Sequence, residues 1–210
     1  MRNRTTPYAV AILACLAVLV GCGTEAVSKD QQAKVGKTAP NFTLADATGE
    51  EVTLSDYEGK FVVLEWVNFD CPFVKKHYSV GNMQGLQAAY GEKEVIWLSI
   101  CSSAPGKQGY MEGEELLTRI GDQKSQAVAY LIDQDGAVGQ MYGAKTTPNM
   151  FVIDPKGKLV YAGAIDDKPT HKSTDIPGST NYVKAALDAV MAGEEVEVKT
   201  TAPYGCSVKY

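Results

Sequence analysis

The run Phe61-Val62-Val63-Leu64-Glu65-Trp66-Val67, followed by Asn68-Phe69-Asp70-Cys71-Pro72, constrains this chain more than any other stretch. It is short for a helix and rich in Val and aromatics, and the turn-like Glu58-Gly59-Lys60 precedes it, so the pattern predicts a buried strand. Pro72 suits the first position of a helix, where its missing N–H costs nothing. Cys71 then falls at or beside the N-cap, where unpaired N–H groups and the positive end of the helix dipole favour thiolate over thiol. Such a sulfur is a nucleophile at neutral pH, helped by Lys75 one turn on and opposed by Asp70. The competing expectation is a buried, inert cysteine.

Arg2 and Arg4 precede an apolar run from Tyr8 to Val20, which reads as an export signal too short to be a convincing membrane span. Leu19-Val20-Gly21-Cys22 resembles the bacterial lipobox. That resemblance implies cleavage before Cys22, a diacylglycerol on its sulfur and a periplasmic protein held at a membrane, and Gly23 in place of Asp implies the outer membrane. Residues 1–21 are therefore read as a lipoprotein signal peptide, and the polar, aromatic-free residues 22–35 as a flexible tether. Residues 36–193 have the length of one domain, and 194–210 form a tail carrying Cys206.

The formal net charge is −5, and losing the signal removes two arginines and no acid, which makes a nucleic-acid partner a poor fit. Of five cysteines, Cys15 leaves with the signal and Cys22 is claimed by lipid, so Cys71, Cys101 and Cys206 remain. Three thiols in an exported chain allow one disulfide and one spare, which points to redox work more than to a stapled framework.

Along the domain, Asn41-Phe-Thr-Leu44 and Glu51-Val-Thr-Leu54 flank a turn and read as a hairpin. A helix after Pro72 breaks near Ser79-Val-Gly-Asn82 and resumes through Met83, Leu86 and Tyr90. Strands are expected at Glu94–Ile100 and Ala127–Ile132, and helices at Met111–Ile120 and Ala137–Tyr142. A hairpin follows over Phe151–Asp154 and Leu159–Ala162, then a last helix over about Asn181–Ala192 with Gly193 closing it. Strands alternating with helices predict an α/β layer with a partly parallel sheet.

This order, the Cys-Pro helix start and Thr146-Thr147-Pro148 before a Phe-Val-Ile-Asp strand resemble the thioredoxin superfamily, specifically exported AhpC/TSA (peroxiredoxin-like) redoxins, over roughly Val35 to Ala192. The resemblance implies a central mixed sheet flanked by helices, here with an N-terminal β-hairpin extension. It also implies a cis peptide before Pro148, whose backbone faces Cys71, so that Thr147 and Pro148 shape a groove for extended substrate chains. In a thioredoxin register Cys71-Pro-Phe-Val74 has lost its second cysteine, and Glu65 takes the place of a buried proton-transfer acid. Facing solvent as an ordinary strand residue is the other reading of Glu65. In a peroxiredoxin register Cys71 is peroxidatic, but the expected Thr is Asn68, the expected Pro is Leu64, and Pro148 replaces the expected Arg.

A lone thiolate needs a resolving group, and Cys206 in the Gly-containing tail is the candidate, with Cys101 at a strand end and an external thiol as its rivals. The expected partners are thus a protein disulfide or peroxide substrate, a thiol reductant and, through Cys22, a membrane. No cofactor and no metal are expected. His77 and His171 are not at ligand spacing with the cysteines, and copper delivery through Cys-x-x-x-Cys lacks its second cysteine, since position 67 is Val and 75 is Lys. Asp166-Asp167 reads as a solvated turn. The expectation is a membrane-tethered thiol oxidoreductase working through Cys71. Its rivals are a non-catalytic redoxin-fold binding protein and a thiol-based metal chaperone.

Overall fold

The computed structural model describes residues 32–210, so the stretches read as a signal peptide and a lipobox, with Cys22, lie outside the described residues. Strands β1 (Thr43–Asp46) and β2 (Glu51–Thr53) form the expected hairpin, with Leu54 starting a 3-10 turn instead of extending the second strand. Strand β3 (Val62–Trp66) leads to helix α1 (Pro72–Tyr78), and after Gly81, at φ 75°, helix α2 spans Asn82–Gly91. Strand β4 (Ile96–Cys101), helix α3 (Gly113–Asp122), strand β5 (Ala129–Ile132) and helix α4 (Ala137–Tyr142) follow. The chain continues through β6 (Thr146–Thr147), β7 (Asn149–Ile153), β8 (Leu159–Gly163), α5 (Tyr182–Met191) and β9 (Cys206–Ser207).

Seven strands make one mixed sheet in the order β2-β1-β5-β4-β3-β7-β8. The central three, β3, β4 and β5, run parallel, and β7 pairs antiparallel with the other edge of β3. All five residues of β3 are buried because the sheet is covered on both faces, which explains its unbroken apolar run. Val63 and Val67 pack into a layer with Val74, Met83, Leu116, Val183 and Leu187. Val62, Leu64 and Trp66 face the opposite layer, with Phe42, Leu54, Val138 and Tyr142. Strand alternation places Glu65 with Val63 and Val67, among the helices.

Two segments read as loose are docked. At the end of the stretch read as a tether, Ala33 donates its N–H to the carbonyl of Met141 (2.9 Å) and Val35 packs on the core. The C-terminal tail does not hang free either. Thr200 bridges to Ala162 beside β8, β9 pairs with β6, the Ala104 N–H bonds to the Lys209 carbonyl (2.9 Å), and the Tyr210 hydroxyl reaches the Ala144 carbonyl (2.8 Å). Backbone pairing of this kind offsets the chain entropy that would otherwise free a terminus. Among the described residues no helix is long and apolar enough to cross a membrane.

Candidate active site

Cys71 occupies the N-cap of α1 with extended backbone, as Pro72 at the first helical position dictates. Its side chain is fully buried, and its thiol donates to the Thr147 carbonyl at 3.0 Å. The Thr147–Pro148 peptide is cis, so the segment leading into Pro148 faces the sulfur, as the resemblance implied. Burial pushes the Cys71 thiol up, but hydrogen bonding from the Cys206 side chain and backbone and from the Val74 backbone outweighs it and holds the thiol below its ordinary value. Lys75, credited from the sequence, is not among these influences, and Asp70 is engaged by the guanidinium of Arg119.

The second sulfur comes from the tail. Strand β9 runs antiparallel to β6 with Cys206 opposite Thr147, the same residue whose carbonyl accepts the Cys71 thiol. The approach is so close that a Cβ on Gly205, at φ +140°, would stand 2.1 Å from the Thr147 carbonyl oxygen. Only glycine fits there. Burial first, and then hydrogen bonding to and charge on Cys71, push the Cys206 thiol up to about 11. The pair is thus polarised, with Cys71 as the readier thiolate and Cys206 as the proton-bearing neighbour. Cys101 is spent elsewhere, with its thiol directed at the Gly109 carbonyl (3.6 Å) and lying against Tyr130. All three cysteines are free thiols.

Glu65 is fully buried, so its solvent-facing reading fails. Its carboxylate accepts from Trp97 Nε1 (2.7 Å), the Tyr78 hydroxyl (3.1 Å), Gln87 Nε2 (3.2 Å) and Ser99 Oγ (3.3 Å). The β3–β4 register supplies two of these partners, since Glu65 stands opposite Ser99 and Val63 opposite Trp97. Burial raises its pKa to about 7, against the pull of the four donors. Cys71 is not among its hydrogen-bond partners.

Asp166, read from the sequence as part of a solvated turn, is buried. Lys76 Nζ lies 3.0 Å from its Oδ2 and also donates to the Lys168 carbonyl (2.8 Å) and the Tyr204 hydroxyl (3.2 Å). Tyr204 in turn hydrogen-bonds to Asp166. His77 completes the group, with Nε2 3.4 Å from the Tyr204 hydroxyl and Nδ1 2.8 Å from the Asn82 amide. Burial lowers its pKa to about 4, so it is neutral at pH 7 and Asn82 donates to Nδ1. No sequence signal could have found this cluster, because Lys76 meets partners 90 and 128 residues away. Among the described residues no group of three or more His, Cys, Asp or Glu could hold a metal ion.

Comparison with known proteins addresses the family and the fold. The AhpC/TSA family model matches residues 35–162. Thiol-disulfide oxidoreductase ResA from Bacillus cereus is 28% identical over 135 residues, which cover 63% of this chain and 71% of that protein. The crystal structure of an uncharacterized conserved protein from Geobacillus kaustophilus aligns at TM-score 0.71 with 28% identity, covering 84% of this chain and 92% of the other. The thioredoxin domain of a thiol-disulfide oxidoreductase from Bacteroides vulgatus, at 21% identity, TM-score 0.52 and coverage of 70% and 98%, shares the fold. The chain belongs to the AhpC/TSA family and has a thioredoxin-like fold.

Proposed function

We propose that this chain is an exported, membrane-tethered thiol–disulfide oxidoreductase in which Cys71 attacks and Cys206 resolves. The observation that carries the reading is the register of β9 on β6, which sets Cys206 opposite the residue that binds the Cys71 thiol. Family membership and the ResA relative support oxidoreductase chemistry, and the Leu19-Val20-Gly21-Cys22 motif supports the tether.

The Cys71 thiolate attacks one sulfur of a protein disulfide, forming a mixed disulfide and expelling the other sulfur as a thiolate that takes up a proton. Oxidising Cys71 also removes the charge and the hydrogen bond that helped to raise the Cys206 thiol. Cys206 then loses its proton more readily and attacks the Cys71 sulfur, closing a Cys71–Cys206 disulfide and releasing the second substrate thiol. The substrate gains two electrons and two protons, and an external thiol reductant must return them to the pair. The order of events is thereby built into the polarity of the two thiols.

A disulfide suits this site better than a peroxide. Asn68, at the position of the peroxiredoxin Thr, commits one amide N–H to the Gln108 carbonyl (3.1 Å) and its oxygen to the Asp70 N–H (2.9 Å), and Pro148 offers no N–H at the position of the Arg. An oxyanion leaving group lacks the donors such a step requires. Backbone of the Thr147–Pro148 segment is, by contrast, already paired with an extended strand containing a cysteine. The trapping experiment uses full-length Cys206→Ser with a disulfide-bonded peptide. A stable mixed disulfide on Cys71 is the expected product. Trapping at Cys101, or none, would remove Cys71 from the role.

A further inference from the structure

Cys71 is fully buried and the tail lies at its sulfur, so an arriving substrate and the resolving thiol compete for one place. The tail's grip beside that place is Tyr204, two residues before Cys206. Its hydroxyl bonds to Asp166 and receives a hydrogen bond from Lys76 (3.2 Å). Its ring carries Lys76 Nζ 5.3 Å from its centroid and meets the edge of Phe73 at 5.8 Å. Lys76 and Phe73 belong to the helix that Cys71 caps. One side chain thus joins the strand that brings the second sulfur to the helix that holds the first.

The ion pair underneath is placed at some cost. Lys76 and Asp166 have side chains 0% and 1% exposed, and a buried pair of this kind seldom adds net stability over apolar packing. Every donor and acceptor at the junction is nevertheless used, with Asp166 also taking the Lys168 N–H (2.9 Å) and Lys76 the Lys168 carbonyl. Tyr204 completes the set with charge-assisted hydrogen bonds, the stronger kind. Its own proton is secure, since burial and the Asp166 carboxylate push its pKa far up.

We propose that Tyr204 is a positioning residue that latches the tail onto the buried Lys76–Asp166 pair and so sets the balance between resolution by Cys206 and substrate access to Cys71. This rests on the resolving role assigned above to Cys206. The latch raises the local concentration of the Cys206 thiol and lowers the fraction of time that Cys71 is uncovered. Weakening it moves the two halves of the cycle in opposite directions: first attack speeds up and resolution slows down.

The test is full-length Tyr204→Phe, which keeps the ring and removes the hydroxyl. Its control is Tyr90→Phe, which loses a hydroxyl bonded to Asp188 (2.7 Å) on α5, outside the Lys76–Asp166–Tyr204 cluster. Two quantities are measured: the equilibrium of the Cys71–Cys206 disulfide against a glutathione redox buffer at pH 7, and the pH-independent limiting rate of Cys71 thiolate alkylation in the reduced protein, which reads access separately from the hydrogen bond that Cys206 gives to Cys71. Losing hydrogen bonds to charged groups is expected to lower the effective concentration of Cys206 by about tenfold and to raise the alkylation rate by a similar factor. Tyr90→Phe is expected to move only the thermal midpoint. If Tyr204→Phe matches wild type in both quantities, or Tyr90→Phe shifts them equally, the latch is refuted while the redox reading stands. If wild type forms no Cys71–Cys206 disulfide, both fall. Should Tyr204→Phe fold poorly, Tyr204→Trp retains an aromatic ring without the phenol and must show the same opposed changes.

Discussion

Replacing Glu65 by Gln should change how stability depends on pH. Burial raises the Glu65 carboxyl to about 7 from an ordinary 4.5. Below pH 4.5 it is protonated folded or unfolded. As pH rises, the unfolded chain ionises first and draws the equilibrium towards itself, so stability is lost between about pH 4.5 and 7. At ~1.4 kcal/mol per pH unit the loss amounts to roughly 3 kcal/mol. His77 acts in the opposite sense, because burial depresses it from 6.5 to about 4. Its contribution is present above pH 6.5 and is lost as pH falls through 4, again by roughly 3 kcal/mol. The two oppose each other across this window in wild type. Glu65→Gln removes one side of the balance, so its stability should rise with pH, and its difference from wild type should grow by roughly 3 kcal/mol between pH 4 and 8. Urea unfolding at a series of pH values measures this directly. A difference that stays constant with pH would show that Glu65 ionises normally, and the account of its burial would be wrong.

Other outcomes follow from the same geometry. In Cys71→Ser, Cys206 loses the sulfur that helps to raise it, so its alkylation rate should rise at lower pH than the wild-type value of about 11 implies. Gly205→Ala puts a methyl group into the Thr147 carbonyl and should lift the tail, which intramolecular disulfide yield and Cys71 alkylation rate would register as a fall and a rise respectively. Cys22→Ala should leave the protein as uncleaved precursor or release it from membranes, which fractionation of cells expressing it would show.

The sequence was most informative where local chemistry dictates conformation. Val-rich β3, Pro72 at the helix start, and the Pro155 and Gly157 turn between β7 and β8 each carry their instruction within a few residues. Helix ends were less legible, and α3 spans Gly113–Asp122 where the apolar period predicted Met111–Ile120. Cys71, Thr147 and Pro148 could be nominated from motif and order, while Cys206 was preferred to Cys101 only on the presence of a glycine-containing tail, since the sequence does not show where that 17-residue tail crosses the domain. Asp166 looked solvated because Asp167, Lys168 and Pro169 follow it and read as a turn. Its burial comes from Lys76 and Tyr204, which supply charge and hydrogen bonds from distant parts of the chain. Polar clusters assembled at long range leave no periodic trace, and these same clusters hold the tail.

Disulfide mapping by mass spectrometry, on full-length protein oxidised by a stoichiometric disulfide, tests the central claim most directly. The account predicts one intramolecular linkage, Cys71 to Cys206, with Cys101 still a free thiol. A Cys71 to Cys101 linkage, or Cys71 left as a mixed disulfide while Cys206 stays reduced, would contradict it.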